Sequence, residues 1–181
     1  SWETPIGSVN VNQGLAGLIL ENCKLFSKDG LAHMREHSLE VQLPFLYHLN
    51  KNISIVPITV MHWEFRECSI MGKAVAKAIA EFKKDALIVV SSDMNHYESD
   101  PVTRKKDKLA IDKALALDAK GLLEITSGKD ITMCGVIPAA IGIAAAKELK
   151  ATNARLVKYA TSGDTSNDYE QVVGYAGIII N

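Results

Sequence analysis

The sequence is poor in the features that mark several common protein classes. It has three cysteines, Cys23, Cys68 and Cys134, an odd number set far apart. They do not form the framework of a disulfide-stapled secreted domain, and a reducing cytoplasm is the expected compartment. There is no C-x-x-C pair, no H-E-x-x-H helix, no Gly-rich phosphate loop and no G-x-S-x-G elbow. Those absences remove the familiar zinc-finger, zincin, nucleotide-binding and esterase signatures. No apolar run reaches the roughly 18–20 residues that span a bilayer. The longest, around Val136–Ala146 and Tyr175–Ile180, fall short. Net charge is only −1, so no field favours nucleic acid or an anionic membrane surface. Ser1-Trp2-Glu3-Thr4-Pro5 has neither the basic start nor the apolar stretch of a signal peptide. There is no initiator Met, and the opening residues read as the middle of a domain.

What is present suits one α/β domain over residues 1–181, long enough to bury a core. Ser8–Val11 alternates as a short strand. Asn12 is placed to cap a helix carrying Leu15, Leu18 and Ile19. Leu39, Leu43, Leu46 and Leu49 predict a helix over Ser38–Asn50, with Pro44 starting, kinking or interrupting it. Ile53–Val60 and Ala86–Val90 are β-branched apolar runs and predict strands buried on both faces. Helices are expected over Trp63–Lys83, from the polar stretch after Asn95 to about Leu117, over Asp118–Ser127 and over Met133–Leu149. The last is apolar nearly all round and therefore buried. Arg155–Tyr159 and Val172–Ile180 read as the final strands. Alternating strands and helices predict a mixed β-sheet flanked by helices.

Three short segments could carry chemistry. In Glu36-His37-Ser38-Leu39-Glu40, His37 and Glu40 are one helical turn apart and could face one cavity. The same string also suits a capped helix start with a solvated acid pair. In Ser91-Ser92-Asp93-Met94-Asn95-His96-Tyr97, an apolar run delivers hydroxyls, a carboxylate and an imidazole together. His96 can act as acid or base near neutrality, with Asp93 as its partner. A turn capped by Asp93 beside an exposed His fits the string equally. In Thr132-Met133-Cys134-Gly135, the thiol precedes a buried helix whose N-terminus favours a thiolate. A small buried hydrophobe is the alternative.

Four ordered strings connect these segments: EHSLEVQLPFL (Glu36–Leu46), SSDMNHYE (Ser91–Glu98), MCGVIPAAI (Met133–Ile141) and YATSGDTS with VVGYAGIII (Tyr159–Ile180). Together with the opening WETPIGSVNVN, they resemble the Memo family, whose bacterial and archaeal members are called AmmeMemoRadiSam system protein B. The resemblance spans nearly the whole chain. It implies a fold shared with class III extradiol dioxygenases, which use non-haem Fe(II). It also implies a metal pocket to which Cys134 contributes a ligand, with His96 and Asp93 as the acid/base pair. His37, Glu40 and Ser92 would lie at the substrate side.

In that family two further His ligands come from upstream motifs, and none of the five His here stands in such a context. The segment that carries them, absent here, is expected to add sheet strands. This chain alone should therefore expose a sheet edge and apolar surface. A Cys in place of a carboxylate softens the site, so the expected ion is iron, copper or zinc. The resemblance implies a metal-dependent redox enzyme acting on a small molecule or peptide, with a homo-oligomer as one assembly. A non-catalytic peptide- or small-ligand-binding module using an old dioxygenase pocket is the competing reading. A Cys134–His96 hydrolase is a third.

Overall fold

A computed structural model describes residues 1–181. It is a mixed α/β structure with two three-stranded sheets flanked by helices. In the first, β1 (Trp2–Thr4) pairs antiparallel with β2 (Gly7–Val11), with Trp2 opposite Val9. Asn12 then starts α1 (Gln13–Asn22), its side-chain oxygen accepting the Leu15 amide at 3.0 Å. That satisfies one of the four amides a helix start leaves unpaired.

The expected helix over Ser38–Asn50 forms in two pieces. A 3-10 turn covers Glu40–Gln42, and α2 covers Leu43–Leu49 with Pro44 in its first turn. Proline is tolerated there because its missing N–H would be unpaired anyway. Glu36 caps the approach to this turn: its carboxylate accepts the Ser38 and Leu39 amides at 2.7 and 3.1 Å, and the Ser38 hydroxyl as well.

Neither expected buried strand forms over its expected span. Of Ile53–Val60 only β3 (Ser54–Ile55) pairs, parallel to β2 at Asn10 and Val11. The ladder ends because the next residue of the partner, Asn12, donates to the Ile55 carbonyl at 2.8 Å and turns into α1. Ala86–Val90 pairs with nothing, and Leu87 is 80% exposed. Strand character is realised only where a neighbouring backbone accepts the hydrogen bonds. Ile58 and Ile88 nevertheless pack on one apolar cluster, with Val75, Ala76 and Ala145. The two extended runs thus lie across the same pair of helices.

Those helices are α3 (Phe65–Phe82) and α6 (Val136–Glu148). They approach backbone to backbone: a Cβ on Gly72 would stand 2.6 Å from that of Ala144 and 2.7 Å from the Ile141 carbonyl oxygen. Between them in sequence come β4 (His96–Glu98), α4 (Asp100–Leu115) and α5 (Ala119–Gly128). Asp118 caps α5 by accepting the Gly121 amide at 2.8 Å. The core gathers Cys68 and Met71 of α3, Leu122 of α5 and Ala140 of α6, each fully buried. The second sheet runs β4–β6–β5, all antiparallel, with β5 (Ala154–Thr161) and β6 (Val172–Ile180) joined through the short α7 (Gly163–Ser166). No helix is long and apolar enough to cross a membrane.

Candidate metal centre

The segment Ser91–His96 leaves an unpaired extended run and enters β4, so its side chains are delivered at the edge of the second sheet. The turn carrying Cys134 immediately precedes α6. Gly135 brings the two together. A Cβ there would meet the Ser91 carbonyl oxygen at 2.6 Å and the Ser92 Cβ at 2.4 Å. Only a residue without a side chain allows that approach. The Gly135 amide also donates to the Ser92 hydroxyl at 2.9 Å, and that hydroxyl donates onward to the Asp93 carbonyl at 2.6 Å.

This contact sets Cys134 against the site. Its sulfur accepts the Asp93 amide at 3.2 Å and stands 4.0 Å from the Ser92 hydroxyl. Asp93, His96 and Cys134 each offer a ligand atom, and the three atoms lie within 4.8 Å of one another. His96 Nε2 is 3.6 Å from Asp93 Oδ2. That nitrogen is buried and has no hydrogen-bond partner, although the Asp93 side chain is 49% exposed. A buried, unpartnered nitrogen costs free energy unless something occupies it. The set of one nitrogen, one oxygen and one sulfur therefore suits a divalent, thiolate-tolerant ion.

Tyr97 follows His96 with φ +59°, a left-handed conformation for a non-glycine residue. The β4–β6 register shifts at that point, between His96 and Glu98. A bulge of this kind re-aims neighbouring side chains and is common beside active sites. The rings of His96 and Tyr97 are 5.6 Å apart. Tyr97 and Tyr175 are both exposed. Burial, then the nearby Asp93 carboxylate, push the Tyr175 hydroxyl above its ordinary pKa.

Behind the site lies Asp107, fully buried on α4. Burial raises its pKa against the opposing donation from Tyr159 and the Asn95 amide. Tyr159 donates to Oδ2 at 2.7 Å and the Asn95 amide to Oδ1 at 2.8 Å. The Tyr159 hydroxyl is pushed up in turn by burial and by that bond. The sequence expectations assign neither Asp107 nor Tyr159 a role at the site. The available signal was the spacing of Thr103, Asp107, Ala110 and Ile111, which forms a helical stripe and is the buried face of α4.

The expected residues divide accordingly. Asp93, His96, Cys134 and Ser92 come together. His37 and Glu40 are exposed, on a 3-10 turn and its approach, and no hydrogen bond or ion pair joins their side chains to the group. The link from that segment runs instead through Gln42, whose side-chain amide donates to the Ser91 hydroxyl at 3.1 Å.

A family model described as Memo-like protein matches residues 1–179. A MEMO1 family protein of Pyrobaculum aerophilum is 45% identical over 179 residues, covering 99% of this chain and 64% of the relative. One from Saccharolobus solfataricus is 42% identical over 176 residues, covering 96% of this chain and 62% of the relative. One from Methanopyrus kandleri is 39% identical over 180 residues, with 99% and 64% covered. The chain thus spans under two thirds of the length of these relatives.

Proposed function

The chain belongs to the Memo-like protein family, and from that membership we propose that Asp93, His96 and Cys134 bind a divalent metal in the pocket of a metal-dependent redox enzyme. The observation that carries the reading is the convergence of three donor atoms of different elements within 4.8 Å. Iron, copper and zinc all accept such a set, and further His ligands would come from a segment outside this sequence. When bound, such an ion supplies Lewis acidity and, for iron or copper, a redox couple.

The chain's own residues have separable tasks. Cys134 supplies the sulfur ligand, which the Asp93 amide holds from one side at 3.2 Å. His96 Nε2 is buried without a hydrogen-bond partner, and so its lone pair is available to a metal. The Asp93 carboxylate stands 3.6 Å from that nitrogen and offers the third donor. Ser92 is committed to the Asp93 carbonyl and the Gly135 amide, which leaves it a structural rather than a proton-transfer role. The exposed rings of Tyr97 and Tyr175 flank the group and offer contact surface to a small molecule or peptide.

Metal analysis of the intact protein tests the proposal. Cys134→Ala should lose most of the bound ion, and equal content in both proteins would remove Cys134 as a ligand. The aromatic flank favours one second reading, a binding module without catalysis. Calorimetry after chelation separates the two, since ligand binding that survives metal removal supports the module.

A further inference from the structure

Asn95 and Thr132, 37 positions apart in sequence, make a second connection between the two segments that supply the donors. Asn95 is fully buried. Its side-chain oxygen accepts the Thr132 amide at 3.1 Å and the Thr132 hydroxyl at 3.3 Å. The Thr132 hydroxyl oxygen in turn accepts the backbone amide of His96 at 2.7 Å.

The polarity of this loop follows from donor counting. A backbone N–H can only donate, so the Thr132 oxygen must accept from His96, and its single proton goes to Asn95. The Thr132 amide must likewise meet the Asn95 carbonyl oxygen, so the Asn95 NH2 points the other way. There it finds Glu98 at 2.6 Å. Glu98 is held by Lys106 at 2.7 Å, and Lys106 also donates to the Asp130 carbonyl at 2.9 Å, two residues before Thr132. The Asn95 NH2 also reaches the Thr103 hydroxyl at 3.4 Å, and the two backbone amides, which can only donate, fix the direction of the loop between Asn95, Thr132 and His96.

From this we propose that Thr132 and Asn95 are positioning residues that fix the separation of His96 from Cys134. The inference rests on the metal reading above. Asn95 directly precedes His96, and Thr132 stands two residues before Cys134. Breaking the loop lets the two donor segments move independently, although neither residue touches the ion. Groups that hold a metal ligand from behind are worth about 10- to 100-fold in affinity.

The test uses Co(II) alone as the probe, titrated into the intact protein while the sulfur-to-cobalt charge-transfer band is followed. Thr132→Val keeps shape and backbone but deletes the acceptor for His96. It should weaken Co(II) binding about tenfold, and Asn95→Ala by more, within the usual range for such groups. Thr132→Ser retains the hydroxyl and should bind like wild type, a rescue that a merely structural role would not produce. Unchanged affinity in both Thr132→Val and Asn95→Ala overturns the inference while leaving the metal reading intact. A second measurement needs no metal: hydrogen exchange of the His96 amide in the apo protein. Loss of its one hydrogen bond should speed exchange by roughly tenfold in Thr132→Val. Equal exchange rates overturn the inference, whereas faster exchange in a protein that never shows the cobalt band supports the clamp and overturns the metal reading.

Discussion

Replacing Gly135 by alanine tests the contact on which the site's assembly depends. The added methyl would fall 2.4 Å from the Ser92 Cβ, 2.6 Å from the Ser91 carbonyl oxygen and 2.7 Å from the Ser92 hydroxyl oxygen. Ordinary contact begins near 3.4 Å, so the two segments must part by about 1 Å, and small-to-large insertions of this kind cost about 1–3 kcal/mol. Alanine is also a poorer helix N-cap than glycine, and Gly135 holds that position on α6, so no gain in helix propensity offsets the clash. For a chain of this length each kcal/mol lowers Tm by roughly 2–4 °C, which places Gly135→Ala roughly 2–12 °C below wild type in a circular-dichroism melt. The same displacement carries Cys134 away from Asp93 and His96, so bound metal should fall with Tm. Gly128→Ala is the control: it ends α5 with nothing within 4 Å of the new methyl, and its Tm should hold or rise slightly, as Gly→Ala changes do at unstrained sites. A Gly135→Ala protein that matches wild type in both melting and metal content would refute the claim that this close approach builds the site.

Three further outcomes are expected. Tyr159→Phe strips one of two donors from the buried Asp107 carboxylate and should cost about 1–3 kcal/mol in urea unfolding. That penalty should shrink in acid, where the protonated carboxyl no longer needs the donor. Asp100→Asn removes a carboxylate that the Arg104 hydrogen bond, then the Thr161 hydroxyl, hold below its ordinary pKa of 3.8. A depressed acid contributes stability above its unfolded pKa and loses it as pH falls through the folded one. The variant should therefore be less stable than wild type at neutrality, and the gap should close below about pH 4 in acid-unfolding curves. A constant gap across that range would show that Asp100 acts through packing. Finally, His96→Ala should reduce metal content less than Cys134→Ala, because the thiolate is the stronger ligand of the pair for soft ions; the reverse order would reassign the anchor.

Local signals carried much of the architecture. Asn12 and Asp118 cap as their side chains suggest, and the amphipathic α3 and uniformly apolar α6 follow their periodicity. Val56–Val60 and Ala86–Val90 went astray because residue type expresses compatibility with a sheet, while pairing needs a second backbone. β3 lost its partner where Asn12 turned the chain into α1. The donors Asp93, His96 and Cys134 were readable as strings, but their convergence depends on a missing side chain at Gly135. The supporting residues were the least readable. Asn95 and Asp107 are polar and fully buried, and a polar residue can be buried only once a partner from a distant element satisfies it. His37 and Glu40 stood out by spacing, yet Gln42 makes the connection to Ser91.

The uniform apolarity of α6 leaves its rotation about its own axis undetermined by water, since every roll angle would bury a comparable surface. Steric indexing supplies the missing coordinate. Gly72 admits Ala144 on one side, Gly142 lies where a methyl would stand 2.7 Å from Val90 Cγ2, and Gly135 seats on Ser91 and Ser92. Two notches on α6, at Gly135 and Gly142, and one on α3, at Gly72, together permit a single azimuth, so a packing defect near the far end of α6 would be felt as a twist at the cysteine that precedes it.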